Sequence, residues 1–298
     1  MASAPAPDRV EGFRFRRLEK PEEFRQLEEV ERAAIGSGPG DPGLPVPLLR
    51  GLQDNGGLVV GAFADIYLAG FAVSSIGWDG TTLYHYSHLT AVRPEYQNHH
   101  LGFRLKAFQR DEVLKLGLSE IRWVFDPLRS KSAWLGVRRL GAQPDRYFAH
   151  YYGQLADAAN QGMETDRIRA VWPITAPTVE ARMAGERPAA SADQQRWAVS
   201  SAIVETEPGE SGIRVPTAVG EPTGASAHLE IPFDLDLVRQ HEPKALRRWR
   251  HAVRDAFRSA GDLGYVVDDF AIVSADHERR SFYFLARAPP PSPPAAAG

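Results

Sequence analysis

The stretch HLTAVRPEYQNHHLGFRLK, residues 88–106, carries an alternating strand through a proline-bearing loop and directly into a helix. The first turn of a helix has backbone N–H groups without intrahelical partners, and they lie at the positive end of the helix dipole. A phosphate or pyrophosphate is the ligand that best suits such a terminus. We therefore predict an anion-binding loop ahead of the helix that begins at Leu101.

The amino-acid composition of the chain excludes several classes of function. The chain of 298 residues is 43% hydrophobic and 24% charged with a net charge of −3, which argues against nucleic acid or an anionic membrane as a partner. It has no cysteine, which excludes disulfides, thiolate metal sites and a cysteine nucleophile. No carboxylate spacing completes a metal site around the nine histidines, so we expect no metal. Lacking an apolar membrane span or a signal-peptide pattern, the protein is expected to be cytoplasmic. Nothing in the sequence indicates an oligomer.

Hydrophobic periodicity organises residues 11–173 as β-α-(α)-β-β-β-α-β-α-β-β. Pro21 suits the first turn of the first helix, with Phe24, Leu27 and Val30 on one face. The predicted strands are 12–18, 58–63, 68–75, 81–92, 121–125, 147–152 and 168–172, and the later helices are 101–116 and 130–140.

A second part is predicted over 196–287, after a linker at 174–195, with disordered ends at 1–10 and 288–298. Its predicted strands are 197–206, 213–219, 228–232, 265–273 and 280–286, around a helix at 243–260. We expect this part to pack on the first. The helix bears arginines opposite its apolar face, and we interpret them as a solvated face rather than a phosphate or nucleic-acid site; they are Arg247, Arg248, Arg250, Arg254 and Arg258.

The loop resembles that of the GNAT superfamily of acyl-CoA-dependent N-acyltransferases, whose pattern is Gln/Arg-x-x-Gly-x-Gly/Ala after a strand ending in Val-x-Pro. The chain is most similar to a branch of two-part predicted acetyltransferases related to amino-acid N-acyltransferases. The resemblance implies an α+β fold: a GNAT-like mixed, mostly antiparallel sheet flanked by helices, with a C-terminal α/β extension packed on it. The motifs that carry it are Ser87-His88, Pro94-Glu95-Tyr96-Gln97, Leu105-Lys106, Phe125-Asp126-Pro127-Leu128, Leu140-Gly141-Ala142, Tyr151-Tyr152-Gly153 and Asp166-Arg167.

The resemblance also implies a function: transfer of an acetyl or succinyl group from CoA to the amine of a small molecule, such as an amino acid. The pyrophosphate is expected on the backbone amides of 98–103, and the carbonyl oxygen on the backbone of Ala91 and Val92. The cofactor-binding residues implied are Ala91, Val92, Gln97, Asn98, His99, His100, Leu101, Gly102 and Phe103.

His88 and Tyr86 are the candidate proton acceptors, because strand alternation puts Tyr84, Tyr86, His88 and Thr90 on one face. An ordinary histidine pKa near 6.5 suits proton abstraction at neutral pH. The alternative for His88 is a packed, hydrogen-bonded structural role. Asp126, at the end of a strand, is a candidate for the acceptor ammonium or, equally, a turn opener.

The chain departs from the family pattern at several positions. Asn98-His99-His100 stands where relatives have Gly-Arg-Gly, Val137 where the thiolate is often protonated by a tyrosine, and Ser132 and Gly136 where this branch tends to carry asparagines. Tyr147, Tyr151 or Tyr152 could supply a phenol instead. These departures keep a rival open: a catalytically degenerate GNAT-fold protein that binds a ligand or a partner.

Overall fold

The first part of the chain forms an eight-stranded sheet in the computed structural model, which describes residues 9–10, 12–36, 43–97, 99–155, 160, 162–275 and 277–288. Its strand order is β1-β2-β3-β4-β5-β6-β8-β7. The strands are β1 Arg9–Val10, β2 Phe13–Arg17, β3 Leu58–Ala64, β4 Tyr67–Trp78, β5 Leu83–Val92, β6 Glu120–Phe125, β7 Gln143–Phe148 and β8 Arg167–Pro173.

Helices cover both faces of this sheet. On one face α1 and α2 enclose a core that includes Phe24, Leu27 and Val30, the three residues predicted for the inner side of α1. On the other face α3 packs against β3, β4 and β5. The helices are α1 Pro21–Ile35, α2 Val46–Asp54, α3 Leu101–Lys115 and α4 Ser130–Ala133, which continues as a π-helical segment, Trp134–Arg139.

One neighbouring pair of strands in this sheet is parallel: β5 and β6, paired only at His85 with Ile121 and at Tyr86 with Arg122. Toward β4, the register of β5 shifts, so that Val73 faces Leu89 and Ser74 faces Ser87 while His88 has no partner. A bulge bends its strand and increases the local twist. β5 and β6 therefore separate beyond Tyr86. The predicted fold class, a mixed and mostly antiparallel sheet flanked by helices, is confirmed.

The second part of the chain forms a four-stranded sheet of order β13-β14-β12-β9 and a two-stranded one, β10-β11. Its strands are β9 Ser201–Ala202, β10 Val204–Pro208, β11 Arg214–Val219, β12 Ser226–Ile231, β13 Tyr265–Ala275 and β14 Glu278–Arg287. Its helices are α5 Pro177–Met183, α6 Ala190–Val199, α7 Leu235–His241 and α8 Ala245–Asp262.

Several expected boundaries are wrong. The expected linker, 174–195, contains α5 and the start of α6, because Val179 packs into the core and Arg138 binds Asp193 at 2.6 Å. Trp197 lies in α6 rather than in a strand, and β7 ends at Phe148, before the tyrosine pair. Within the expected disordered end 1–10, residues 9–10 pair with β2. Residues 1–8 and 289–298 lie outside the described residues.

The two parts share one hydrophobic core, which runs from Phe15 to Leu285 and confirms that the C-terminal extension packs on the sheet. Polar contacts join them as well. Arg250 of α8 is 1% exposed at its side chain and donates to both carboxylate oxygens of Asp126 at 2.8 Å. Arg254 donates to Asp166 at 2.7 and 2.8 Å. The interpretation of these two arginines as part of a solvated face is therefore wrong.

No helix in the described residues has the length and apolarity needed to cross a membrane.

We expect Asp126→Asn to lower the free energy of unfolding by about 3–5 kcal/mol, because it leaves the Arg250 guanidinium buried without its counter-charge. Chemical denaturation measures this change. Asp236→Asn is the matched control: it removes an exposed partner of Arg129 at 2.8 Å and should cost less than about 1 kcal/mol. Equal costs for the two variants would contradict the prediction.

Candidate functional site

The separation of β5 and β6 opens a cleft that contains a cavity of about 380 Å³. Residues 87–90 of β5 form one wall and residues 123–126 of β6 the other. Leu135 and Gly136 line it from the π-helical segment, and Lys106 lines it from α3. The vertex of the cleft is the last β5–β6 pair, Tyr86 with Arg122.

The backbone of β5 offers donors to this cleft. The Arg93 N–H donates to the Ala69 carbonyl of β4 at 2.9 Å. Because N–H groups alternate sides along an antiparallel strand, Ala91 also directs its N–H to β4, whereas Val92 and Thr90 direct theirs toward β6. The expectation for Ala91 therefore needs correction: its N–H belongs to the sheet, and its side chain is buried in the core on the α1 side.

The loop ahead of α3 keeps the backbone shape that a glycine favours. His100 has φ +58° and precedes the first helical residue without capping the helix through its side chain. Leu101 anchors the helix in the core, and the first backbone hydrogen bond of the turn runs from Arg104 to His100. The N–H groups of residues 101–103 are those that a first helical turn leaves without intrahelical partners. Asn98 lies outside the described residues.

Two further side chains shape this loop. Gln97 donates from Nε2 to the Val92 carbonyl at 3.2 Å and so ties the loop to the end of β5. Arg139, from the π-helical segment, places its guanidinium 4.6 Å from the Phe103 ring centroid. No carboxylate among the described residues forms an ion pair with it, and burial followed by repulsion from Arg187 lowers its pKa. The sequence analysis missed Arg139 because its proximity to Phe103 arises only in the fold.

His88 is exposed and lines the cleft, with its Nε2 at 2.7 Å from Ser75 Oγ. Partial burial of the imidazole lowers its pKa. Tyr86 and His88 share a face, as predicted, but the bulge at His88 reverses the alternation beyond it, so Thr90 falls on the opposite face. Ser87 bonds to Gln109 of α3, whereas Leu89 packs against the core on the α1 side. His85 is buried, and its Nε2 lies 3.0 Å from the Gly56 carbonyl oxygen.

Phenols gather beside the imidazole. The Tyr86 ring lies 5.0 Å from that of His88, and the phenols of Tyr151 and Tyr152 are neighbours of its hydroxyl. Burial, then the neighbouring phenols, raise the pKa of Tyr86, so it remains a protonated phenol rather than a base. Tyr147 is instead tied to Asp166 at 2.6 Å.

Asp126 lines the cleft, but its carboxylate is engaged. Both oxygens bind Arg250, and Oδ1 also accepts the Leu128 N–H at 2.9 Å. Burial opposes its charge, yet Arg250 outweighs that effect and keeps its pKa low. The carboxylate thus holds α8 against the cleft and has no oxygen free for the ammonium that was predicted for it.

The π-helical segment leaves space for the Trp123 indole at Gly136. A Cβ added to Gly136 would lie 3.2 Å from the Trp123 ring, so an asparagine there needs the ring to move. Val137 is buried in the core, as its apolar side chain requires. The glycine and the tryptophan together form one wall of the cavity.

Lys106 belongs to one of the motifs of the resemblance, but no functional role was predicted for it from the sequence. Its side chain is buried, and Nζ donates to Ser87 Oγ at 2.9 Å and to Gln109 Oε1 at 2.8 Å. The ammonium also lies 4.4 Å from the Trp123 ring centroid. Burial lowers the pKa of Lys106 to about 7. A lysine within a helix gives no sign in the sequence that it faces a cavity.

Away from the cleft, His150, Glu164 and Asp166 bring their ligand atoms within 4.8 Å of one another. Arg254 donates to both carboxylates. A guanidinium therefore already supplies the positive charge at this group.

The first part of the chain thus has one splayed parallel pair in an otherwise antiparallel sheet, and an open helix N-terminus follows the first strand of that pair. This is the mixed, mostly antiparallel arrangement that the resemblance implies.

Solved structures similar to this chain include acetyltransferases. Escherichia coli ribosomal-protein-S18-alanine N-acetyltransferase is 19% identical, with a TM-score of 0.45 over 55% of this chain and 95% of that one. Aminoglycoside 6'-acetyltransferase type Ii is 17% identical, with a TM-score of 0.43 over 54% and 97%. Arabidopsis thaliana NAA60 in complex with acetyl-CoA is 13% identical, with a TM-score of 0.43 over 54% and 99%. No protein-family profile and no curated protein sequence matches the chain.

We expect His100→Gly to raise the free energy of unfolding by about 1 kcal/mol, because it relieves the left-handed backbone of a side-chain-bearing residue. Thermal or chemical unfolding measures the change. His99→Gly is the control and should be neutral or destabilising, since His99 has no positive φ. If His100→Gly lowers the free energy of unfolding by as much as His99→Gly does, the backbone at His100 is not strained.

Proposed function

We propose that this protein is a CoA-dependent N-acyltransferase that acylates the amine of a small molecule, such as an amino acid. The observation that carries the proposal is the proximity of two features: Leu135 lines the cleft between β5 and β6, and its Cδ2 lies 3.5 Å from where a Cβ on Gly102 would be, in the open first turn of α3. An extended thioester with a pyrophosphate at its far end has the shape and charge for such a site.

The N–H groups of Leu101, Gly102 and Phe103 bind the pyrophosphate in this proposal, with His99 beside them. The left-handed backbone at His100 supports it, because it keeps the loop in the shape that presents these donors. Arg139 supplies a guanidinium next to Phe103, and so replaces the arginine that relatives carry within the loop. The pantetheine arm follows β5, where the N–H groups of Val92 and Thr90 face the cleft.

His88 is the proton acceptor in the proposed reaction. The amine must lose its proton to attack the thioester carbonyl, and an imidazole whose pKa lies below 6.5 is neutral at physiological pH. Ser75 orients the ring through Nε2. The N–H groups of Thr90 and Val92 are the donors available to the carbonyl oxygen as negative charge develops on it.

Tyr151 and Tyr152 are the proposed proton donors to the departing thiolate. Both phenols are exposed, and both are neighbours of Tyr86, which lies beside His88. Val137 cannot donate a proton, and the Tyr147 hydroxyl is committed to Asp166. These contacts favour the tyrosine pair at the start of the β7–β8 connection.

A protein that binds a ligand without catalysis is the second candidate, and the histidine in place of the loop glycine favours it. Calorimetric titration with acetyl-CoA, succinyl-CoA and free CoA separates the two. Micromolar binding supports the acyltransferase, whereas no binding at millimolar CoA favours a site put to another use.

We expect the double variant His99→Arg, His100→Gly to bind CoA more tightly, by about 10-fold, because it restores a bidentate phosphate ligand and an unstrained loop. Titration calorimetry of the variant against the unmodified protein measures this. The matched control changes Arg104 on α3 to Lys, which keeps the charge of the region while leaving the loop intact. If the double variant binds CoA with an unchanged dissociation constant, this loop is not the part of the protein that binds CoA.

We expect His88→Gln to lower kcat/KM by about 10²- to 10⁴-fold. In the unmodified enzyme kcat/KM should rise with pH through the lowered pKa of His88 and level off before neutral pH, because only the neutral imidazole accepts a proton. Release of free CoA thiol, followed with an identified amine, gives both profiles. His241→Gln is the control, because His241 is exposed at the end of α7. If His88→Gln keeps full activity and the same fall of kcat/KM at acidic pH, His88 is excluded as the base.

A further inference from the structure

The vertex of the cleft holds a positive charge that no carboxylate balances among the described residues. Lys106 contacts Ser87 and Trp123, and these are the first residues of β5 and β6 beyond the last strand pair. Its polar partners are neutral: a hydroxyl, an amide oxygen and an indole face. Asp126, the carboxylate lining the same cavity, has both oxygens on Arg250.

In the proposed complex, the Lys106 ammonium lies near the acyl end of the CoA thioester. In the proposed function the pyrophosphate lies at residues 101–103 and the pantetheine arm runs along β5 from Val92 toward Thr90. The arm therefore points at the vertex. The acyl group, which follows the thioester, occupies the part of the cavity that Ser87, Lys106 and Trp123 enclose.

We infer that the acyl group ends in an anion, and that Lys106 binds its terminal carboxylate. The donor class is an ω-carboxyacyl-CoA, a dicarboxylic acid joined to CoA through one of its two carboxyl groups. This inference rests on the proposed function and specifies its donor.

Burial gives the contact its strength and its selectivity. Charge-assisted hydrogen bonds are the strong ones, and they are worth most where water is excluded. An uncharged acyl group of the same length leaves the lysine without a counter-charge, and its apolar end meets an ammonium. The lysine, with a pKa of about 7 in the protein alone, becomes fully protonated when a carboxylate arrives.

Calorimetric titration with succinyl-CoA and butyryl-CoA tests the inference without any acceptor, because the two thioesters match in chain length and differ in the terminal charge. The unmodified protein should bind succinyl-CoA at least about 10-fold more tightly. Lys106→Met should weaken succinyl-CoA about 10- to 100-fold and change butyryl-CoA by less than about threefold. Lys115→Met is the matched control, because Lys115 lies on the same helix with an exposed side chain paired to Glu112, and it should change neither.

Titration of Lys106 itself, by NMR of ¹³C-labelled lysine in the unmodified protein, does not depend on the variant folding. Its pKa should rise when succinyl-CoA binds and stay near 7 with butyryl-CoA. Equal affinity for the two thioesters, or an equal loss of both in Lys106→Met, overturns the inference and leaves the acyltransferase proposal standing. Failure of every CoA thioester to bind overturns both.

Discussion

The bulge at His88 is the constraint on which the site depends. One unpaired residue in β5 bends the strand away from β6 after two paired positions, and the gap becomes the cleft. Ser87 faces α3 and accepts a hydrogen bond from Lys106, whereas His88 lies on the opposite face of the sheet beside Tyr86. The bulge then puts Leu89 on the α1 side as well, so that the alternation beyond His88 is reversed and Thr90 falls on the α3 side.

The second part of the chain supports the cleft rather than standing apart from it. Arg250 holds Asp126 at the open end of β6, and the Tyr283 hydroxyl donates to the Pro127 carbonyl at 3.0 Å. Because these groups are buried, the end of β6 cannot move toward β5 without leaving an uncompensated charge. The C-terminal part thus fixes the width of the cleft, a role for which its own sequence carries no motif.

Departures from the family pattern have local compensations. The loop retains a left-handed residue although it is a histidine, and Arg139 approaches Phe103 from the π-helical segment. Gly136 makes room for the Trp123 indole, which in turn faces the Lys106 ammonium. The cavity is thereby lined by an aromatic wall next to the Lys106 ammonium. These changes leave the sheet intact.

The sequence by itself determined the order of elements in the first part, the buried face of α1 and the open terminus of α3, because periodicity and proline and glycine positions act over a few residues. It did not locate the bulge at His88, since the sequence predicted regular alternation through this strand. It misjudged the linker, the arginines of α8 and the face of Thr90, because these depend on partners 55 to 124 residues away or on the register between strands. Only the tertiary structure decided that Lys106 is buried without a carboxylate and that Asp126 is engaged. Charge pairing and burial are properties of three-dimensional neighbours, and no local pattern encodes them.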